Sequence, residues 1–70
     1  MTTNVFSALS HPLRRQVMTL LRKGPRTSGE LADAFDASWP TVSRHLSVLK
    51  DADLITAERS GTSITYRANT

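Results

Sequence analysis

Residues 27–50 read TSGELADAFDASWPTVSRHLSVLK, and the order of caps, turn and apolar residues in this stretch decides the architecture of the chain. Thr27 followed three residues later by Glu30 is a capping-box pattern, in which hydroxyl and carboxylate each accept the other residue's backbone N–H. Leu31, Ala32 and Phe35 then supply the apolar stripe of a helix of about two turns. Asp36 and Ala37 make a tight turn. Ser38 caps the next helix, whose Val42, Leu46 and Leu49 share one narrow apolar face and which is expected to end at Asp51 to Asp53. Two short helices across a tight turn match the helix-turn-helix layout, whose second helix enters a DNA major groove by its N-terminal half.

Upstream, Val5, Phe6 and Leu9 follow polar Thr2, Thr3 and Asn4 at helical spacing, which predicts a short first helix ending near Ser10. Ser10 is the expected cap of the next helix, and Pro12 suits a first turn that has no N–H to satisfy. Leu13, Val17, Leu20 and Leu21 give that helix its apolar stripe. Gly24 is expected to close it in the left-handed conformation, after Arg22 and Lys23 in the last turn and before Pro25. Downstream of Leu54 the period becomes two. Ile55 and Ala57 alternate with Thr56 and Glu58, and Ile64, Tyr66 and Ala68 with Thr65 and Arg67. Ser60-Gly61-Thr62 reads as the hairpin tip between these strands. The expected fold is mainly α with a small β-hairpin: helices followed by a two-stranded wing, a single domain over residues 1–70.

Seventy residues leave a thin core, with about 60% of the unfolded surface buried, so a partner subunit would help to complete it. Cysteine is absent, which excludes disulfides, thiolate metal sites and thiol nucleophiles together. No apolar run approaches the roughly 20 residues of a membrane span, and Met1 to Phe6 lack the basic-then-apolar layout of a signal peptide. The expected location is cytoplasmic. A formal charge of +3 and a pI near 10.2 suit either a polyanionic partner or a merely solvated surface, and only the placement of the charges decides. There is no Gly-rich phosphate loop, Ser-His-Asp context or concentrated carboxylate pair, so no catalytic residue, enzyme activity, metal or cofactor is expected.

At 100° per residue, an inward Val42, Leu46 and Leu49 turn Pro40, Ser43, Arg44 and Ser47 outward, with Thr41 beside them. Hydroxyls reach bases or phosphates, Arg44 can bond guanine O6 and N7 together, and the Thr41 methyl can touch thymine. Glu is missing from this helix, and Asp51 and Asp53 are expected to cluster past its end, away from where phosphates would lie, a separation of signs that favours DNA over a generic solvated face. Arg59, Ser60, Gly61, Thr62 and Ser63 form a small tip with one cation at its base. Alone it would be an ordinary surface hairpin; after a helix-turn-helix it reads as a wing on the phosphate backbone or in the minor groove. Thr27 and Ser28, at a helix N-terminus, suit a phosphate as well as a cap. Trp39 could stack on DNA, but its place on the flank of the apolar stripe favours a partly buried packing role. Arg14, Arg15, Arg22, Lys23 and Arg26 could form a second phosphate-facing patch, although Arg14 and Arg15 diverge on a helix, so that at least one is solvated or serves a dimer.

With these features in order, the chain resembles the ArsR-type winged-helix repressors over almost its full length. FSALSHPLRR at 6–15 is similar to the family's entry into its second helix, and Gly29-Glu30-Leu31-Ala32 to the start of its third. Ser38 to Leu46 resembles the recognition helix and Leu49 to Ile55 its exit into the wing, while Arg59-Ser60-Gly61 and Tyr66 fall where family wings carry Arg-x-Gly and an aromatic residue. The resemblance implies a homodimer that represses a promoter by occupying an inverted repeat of double-stranded DNA, with an inducer often releasing it. It also suggests a phosphate contact or a helix-packing role for His45; metal coordination by His45 with the distant His11 would make a poor site. Three departures qualify the likeness. Leu31 to Asp36 holds no thiol, which argues against arsenite, cadmium or zinc sensing there and points to the metal-independent, autorepressor-like members. The sequence stops at Thr70, before the family's C-terminal dimer helix, which leaves a trimmed chain, a dimer built on Val5, Phe6 and Leu9, or a monomer. Asp53 stands where the family often has Gly, and Asp tolerates the left-handed conformation that this turn requires. The alternative from another class is a winged-helix protein-interaction module without DNA binding, which an exposed Trp39 beside Pro40 would suit.

Overall fold

Helix α1 (Val5–Ala8) is capped by Asn4, whose Oδ1 accepts the Ser7 N–H at 2.7 Å. The computed structural model describes residues 4–69, so Thr2 and Thr3 of the predicted lead-in, and Thr70, lie outside the described residues. Of α1 only Ala8 is buried, whereas Val5 is 47% and Phe6 91% exposed. Of its expected apolar face, Leu9 packs half-buried against the core, while Val5 and Phe6 point away from it.

Helix α2 (Pro12–Lys23) has Pro12 in its first turn as expected but is capped one residue later than expected. Ser10 is spent on the exit from α1, where its hydroxyl donates to the Ser7 carbonyl at 2.7 Å, and His11 caps instead, Nδ1 accepting the Leu13 N–H at 3.1 Å. The buried face is Val17, Met18 and Leu21; Leu13 and Leu20 flank it half-buried. Gly24 closes the helix with its N–H on the Leu21 carbonyl at 3.2 Å, but at φ 154° and ψ 165° it takes an open positive-φ conformation available essentially to glycine, not the left-handed α cap that the sequence suggested. The cause lies in the next element. The chain leaves α2 directly into a strand, β1 (Arg26–Thr27), and a nearly straight Gly24 aims it there.

Helix α3 (Ser28–Ala34) begins with the predicted capping box: the Thr27 hydroxyl accepts the Glu30 N–H at 3.2 Å and the Glu30 carboxylate accepts the Thr27 N–H at 2.8 Å. Helix α4 (Trp39–Asp51) has Ser38 at its N-cap position, though the Ser38 hydroxyl lies 3.0 Å from the Thr41 hydroxyl and caps no backbone N–H. At the far end Asp53 takes φ 60°, and the Leu54 and Asp53 N–H groups return to the Leu49 and Lys50 carbonyls, both at 3.0 Å. These two bonds make a Schellman motif with Asp53 in the left-handed place usually held by glycine.

Strands β2 (Ile55–Ser60) and β3 (Ser63–Ala68) form the expected hairpin, in register Ile55 with Ala68 and Ser60 with Ser63. Only Gly61 and Thr62 turn the chain, Gly61 at φ 62°, so Ser60 belongs to the strand and not to the tip. The sheet has a third member that the period-two pattern did not predict. β1 pairs antiparallel with β3, Arg26 opposite Tyr66 and Thr27 opposite Thr65, giving the order β1-β3-β2. Leu31, Leu46, Leu49 and Ile55, drawn from α3, α4 and β2, are fully buried together with Val17 and Val42, each worth about 1.5–3 kcal/mol relative to exposure. This cluster locks α4 between α2, α3 and the hairpin.

Candidate nucleic-acid interface

Burial of Val42, Leu46 and Leu49 on one side of α4 fixes what the other side displays. Pro40, Thr41, Arg44 and Ser47 are exposed, as is Ser38 before them, while Ser43 is half-buried. From Trp39 to Lys50 the helix carries no carboxylate, and Asp51 is its last residue. The presented surface is small, hydroxyl-rich and positive, shaped for acceptor-rich groove edges and phosphates.

Trp39 is 38% exposed and stands apart from the hydrophobics packed on the core. The packing Trp favoured from sequence, over the thin core or at a dimer contact, does not join this chain's core, because the first turn of α4 projects past it and Val42 is its first buried residue.

Arg59, Ser60, Gly61, Thr62 and Ser63 are all exposed at the hairpin end. Arg59 shares a sheet face with Ala57, Ile64 and Tyr66, the face turned to the helices. Its charge reaches Tyr66: burial holds the Tyr66 phenol above its ordinary range, and Arg59 pulls the other way. The wing cation therefore lies on the side of the hairpin against which α4 packs.

Thr27 and Ser28 are half-buried at the start of α3, where the Thr27 hydroxyl already accepts from Glu30. Glu30 is held below the usual carboxylate range, chiefly by the Thr27 backbone N–H, then by the Thr27 side chain and Arg26. An ionised carboxylate at this N-terminus competes with any phosphate there.

The five upstream cations do not form a free patch. Arg14 donates from Nε to the Ala8 carbonyl at 2.7 Å and from Nη2 to the Ser7 carbonyl at 3.1 Å; Arg15 donates to the Leu9 carbonyl at 2.8 Å. Arg26 donates to the Gly24 and Pro25 carbonyls, both at 2.9 Å. Arg22 and Lys23 alone of the five remain as exposed cations with no such tether among the described residues.

His45 is half-buried, and His11 is not distant from it: the ring centroids are 4.3 Å apart, tilted by 43°. His45 Nδ1 lies 3.5 Å from Arg14 Nη1, where α4 meets the start of α2. Among the described residues no group of three or more His, Cys, Asp or Glu could hold a metal ion. Sequence reasoning missed the Arg14 tether and the His11 cap; the only available signal was His11 immediately before Pro12 at a helix start.

A helix-turn-helix whose second helix bares a carboxylate-free polar face, followed at once by an exposed hairpin carrying a cation, defines a winged helix-turn-helix DNA-binding protein. Comparison with known proteins agrees. The family model described as "Bacterial regulatory protein, arsR family" matches residues 11–57. The chain is 45% identical over 67 residues to the transcriptional repressor SdpR of Bacillus subtilis, covering 96% of this chain and 74% of SdpR. It is 43% identical over 60 residues to the HTH-type transcriptional repressor SmtB of Mycobacterium tuberculosis, covering 86% of this chain and 44% of SmtB. The crystal structure of the transcriptional repressor BigR from Xylella fastidiosa superposes with a TM-score of 0.86 at 31% identity, over 93% of this chain and 66% of BigR. The chain thus spans less than half of SmtB and about two thirds of BigR. It belongs to the ArsR family of bacterial regulatory proteins, DNA-binding transcriptional repressors and not enzymes. Among the described residues no helix is long and apolar enough to cross a membrane.

Proposed function

We propose that this protein acts in the cytoplasm as a homodimer that binds an inverted repeat of duplex DNA and thereby represses transcription. The observation that carries the reading is the exposed face of α4 from Ser38 to Ser47, free of carboxylates and flanked by an exposed wing. Arg44 reads a guanine, Ser38, Thr41, Ser43 and Ser47 contact bases or nearby phosphates, and Trp39 and Pro40 lie against the sugar edge. Arg59 to Ser63 grip the backbone, with Thr27, Ser28 and His45 at the margin of the contact. Phe6 and Val5 support a second copy: their exposed apolar surface on α1 is of the kind an interface covers.

Selection of bound duplexes from a random pool, at low and at near-physiological salt, tests the proposal. The expected product is an inverted repeat with half-sites about one helical turn apart. Enrichment of a single half-site would remove the dimer. No enrichment at either salt would replace DNA reading by a protein-interaction role, for which Trp39 would be the first surface to mutate.

A further inference from the structure

Arg14, His11 and His45 join three elements, and of the three only His45 has a place at the margin of the proposed DNA contact. Arg14 ties α2 to the end of α1 through the Ala8 and Ser7 carbonyls, and its remaining Nη1 lies 3.5 Å from His45 Nδ1 in the middle of α4. Arginine has no acceptor, so in this long 3.5 Å contact the His45 Nδ1 lone pair is what suits the guanidinium, with the proton of the neutral ring on Nε2. The same logic holds for His11, whose Nδ1 accepts the Leu13 N–H that starts α2. Each contact uses an imidazole nitrogen as an acceptor, and the ring centroids lie 4.3 Å apart, tilted by 43°. An imidazolium bears N–H on both nitrogens. Protonating His11 would cost α2 its cap, and protonating His45 would turn its Nδ1 from an acceptor into a donor facing a guanidinium.

The surroundings offer no compensation. The charges acting on His45 are His11, Arg14 and, on its own helix, Arg44. α1 presents only backbone carbonyls; α3 and β2, which also pack on α4, carry Glu30, Asp33, Glu58 and Arg59, none of which is among the groups that act on His45. Burial first, then repulsion from His11 when it is charged, from Arg14 and from Arg44, holds the His45 imidazole below its ordinary range.

We infer that Arg14, His11 and His45 form a proton-sensitive clamp that positions the recognition helix against α1 and α2 and is released when either imidazole is protonated, weakening DNA binding. The consequence for DNA rests on the function proposed above; the clamp chemistry does not. Its sign is diagnostic. A histidine that merely faces phosphates gains attraction on acidification and tightens binding, whereas release of the clamp loosens it.

The experiment measures affinity of the full chain for the selected duplex at constant salt between about pH 7.5 and 5.5, the window in which imidazoles titrate. The wild type is compared with the double variant His11→Asn/His45→Gln. Asn retains an N-cap acceptor, Gln retains an oxygen for Arg14, and neither titrates. The expected result is a loss of about tenfold in wild-type affinity on acidification, and little change with pH in the double variant whatever its absolute affinity. Wild-type affinity that holds or rises, or an equal loss in the variant, overturns the clamp. A second readout needs neither DNA nor a folded variant: NMR titration of the two wild-type rings, with the emission of Trp39, the single tryptophan, reporting on the start of α4. A His45 midpoint below the ordinary 6.5, with Trp39 emission changing in step, supports the clamp; a midpoint at or above it, or unchanged emission, overturns it. If no duplex binds at any pH while the His45 ring titrates and the Trp39 emission changes as expected, the DNA reading fails and the clamp stands.

Discussion

Arg59 stands directly across the wing from Ile64, and that pairing puts its side chain on the helix-facing side of the hairpin. Ile64 is half-buried and Tyr66, two residues along β3, is buried, so Arg59 is where this face leaves the core for solvent. In the proposed complex a cation so placed is set against phosphate and not a base edge. Arg59→Ala should weaken binding to a selected and to a scrambled duplex alike and lower the log-log salt slope by about one. A loss confined to one duplex would put Arg59 on a base.

Arg44 stands midway between buried Val42 and Leu46, so it points away from the core with its guanidinium free to reach a groove. Arg44→Ala should cost about 1–3 kcal/mol on the selected duplex and relax preference at one base pair. Arg44→Lys keeps the charge and loses the paired donors, so it should recover non-specific affinity without restoring that preference. Repeating the duplex selection with both variants reads the outcome. An unchanged consensus in Arg44→Ala would remove Arg44 from base reading.

What the sequence displayed were local signals with short reach. The Thr27–Glu30 box, the Val42, Leu46 and Leu49 stripe, the period-two strands and the left-handed Asp53 all stand in the structure as read. β1 was illegible because two residues carry no period, and its partner Tyr66 lies far along the chain from Arg26. His11 was passed over as a cap because Ser10 is the stronger capping residue by type, yet Ser10 was already engaged with α1. Helical arithmetic gave the outward face of α4 but not depth: Ser43 is half-buried and Trp39 is exposed, since the core ends before the first turn. The nearness of His11 and His45 depends on how α2 crosses α4, which no spacing within either helix encodes.

Thr27→Ala removes the acceptor for the Glu30 N–H at the start of α3 and should cost about 1 kcal/mol of stability in urea unfolding. The acid response comes from Glu30, whose carboxyl lies below its ordinary value of 4.5 in the folded chain, mainly through the Thr27 backbone N–H. A lowered folded value means that the unfolded chain binds the proton more readily. This contribution is therefore complete above the ordinary carboxylate value and lost as pH falls through the folded one. Glu30→Gln should flatten the acid limb of stability relative to wild type, and an unaltered limb would show that the box carries no linked proton.

Asp53 bears the strain of the turn out of α4, and replacing it tests how that turn is held. At φ 60° an L-residue is strained by about 1–2 kcal/mol, less for Asp than for most. Glycine removes that strain but returns about 0.4–1 kcal/mol through the greater freedom of the unfolded chain. Asp53→Gly should therefore stabilise by a few tenths of a kcal/mol to about 1 kcal/mol in the same urea assay. Asp53→Val should lose more than about 1 kcal/mol, because a β-branched residue is a genuine outlier at positive φ. The backbone here also anchors the wing: the Asn69 side chain donates to the Asp53 carbonyl at 2.9 Å and the Asn69 N–H to the Leu54 carbonyl at 3.0 Å. A valine that shifts this turn therefore moves α4 and the hairpin relative to one another, and duplex affinity should fall along with stability. Full affinity in a destabilised Asp53→Val would show that the two DNA-contacting elements are held in place by the core alone.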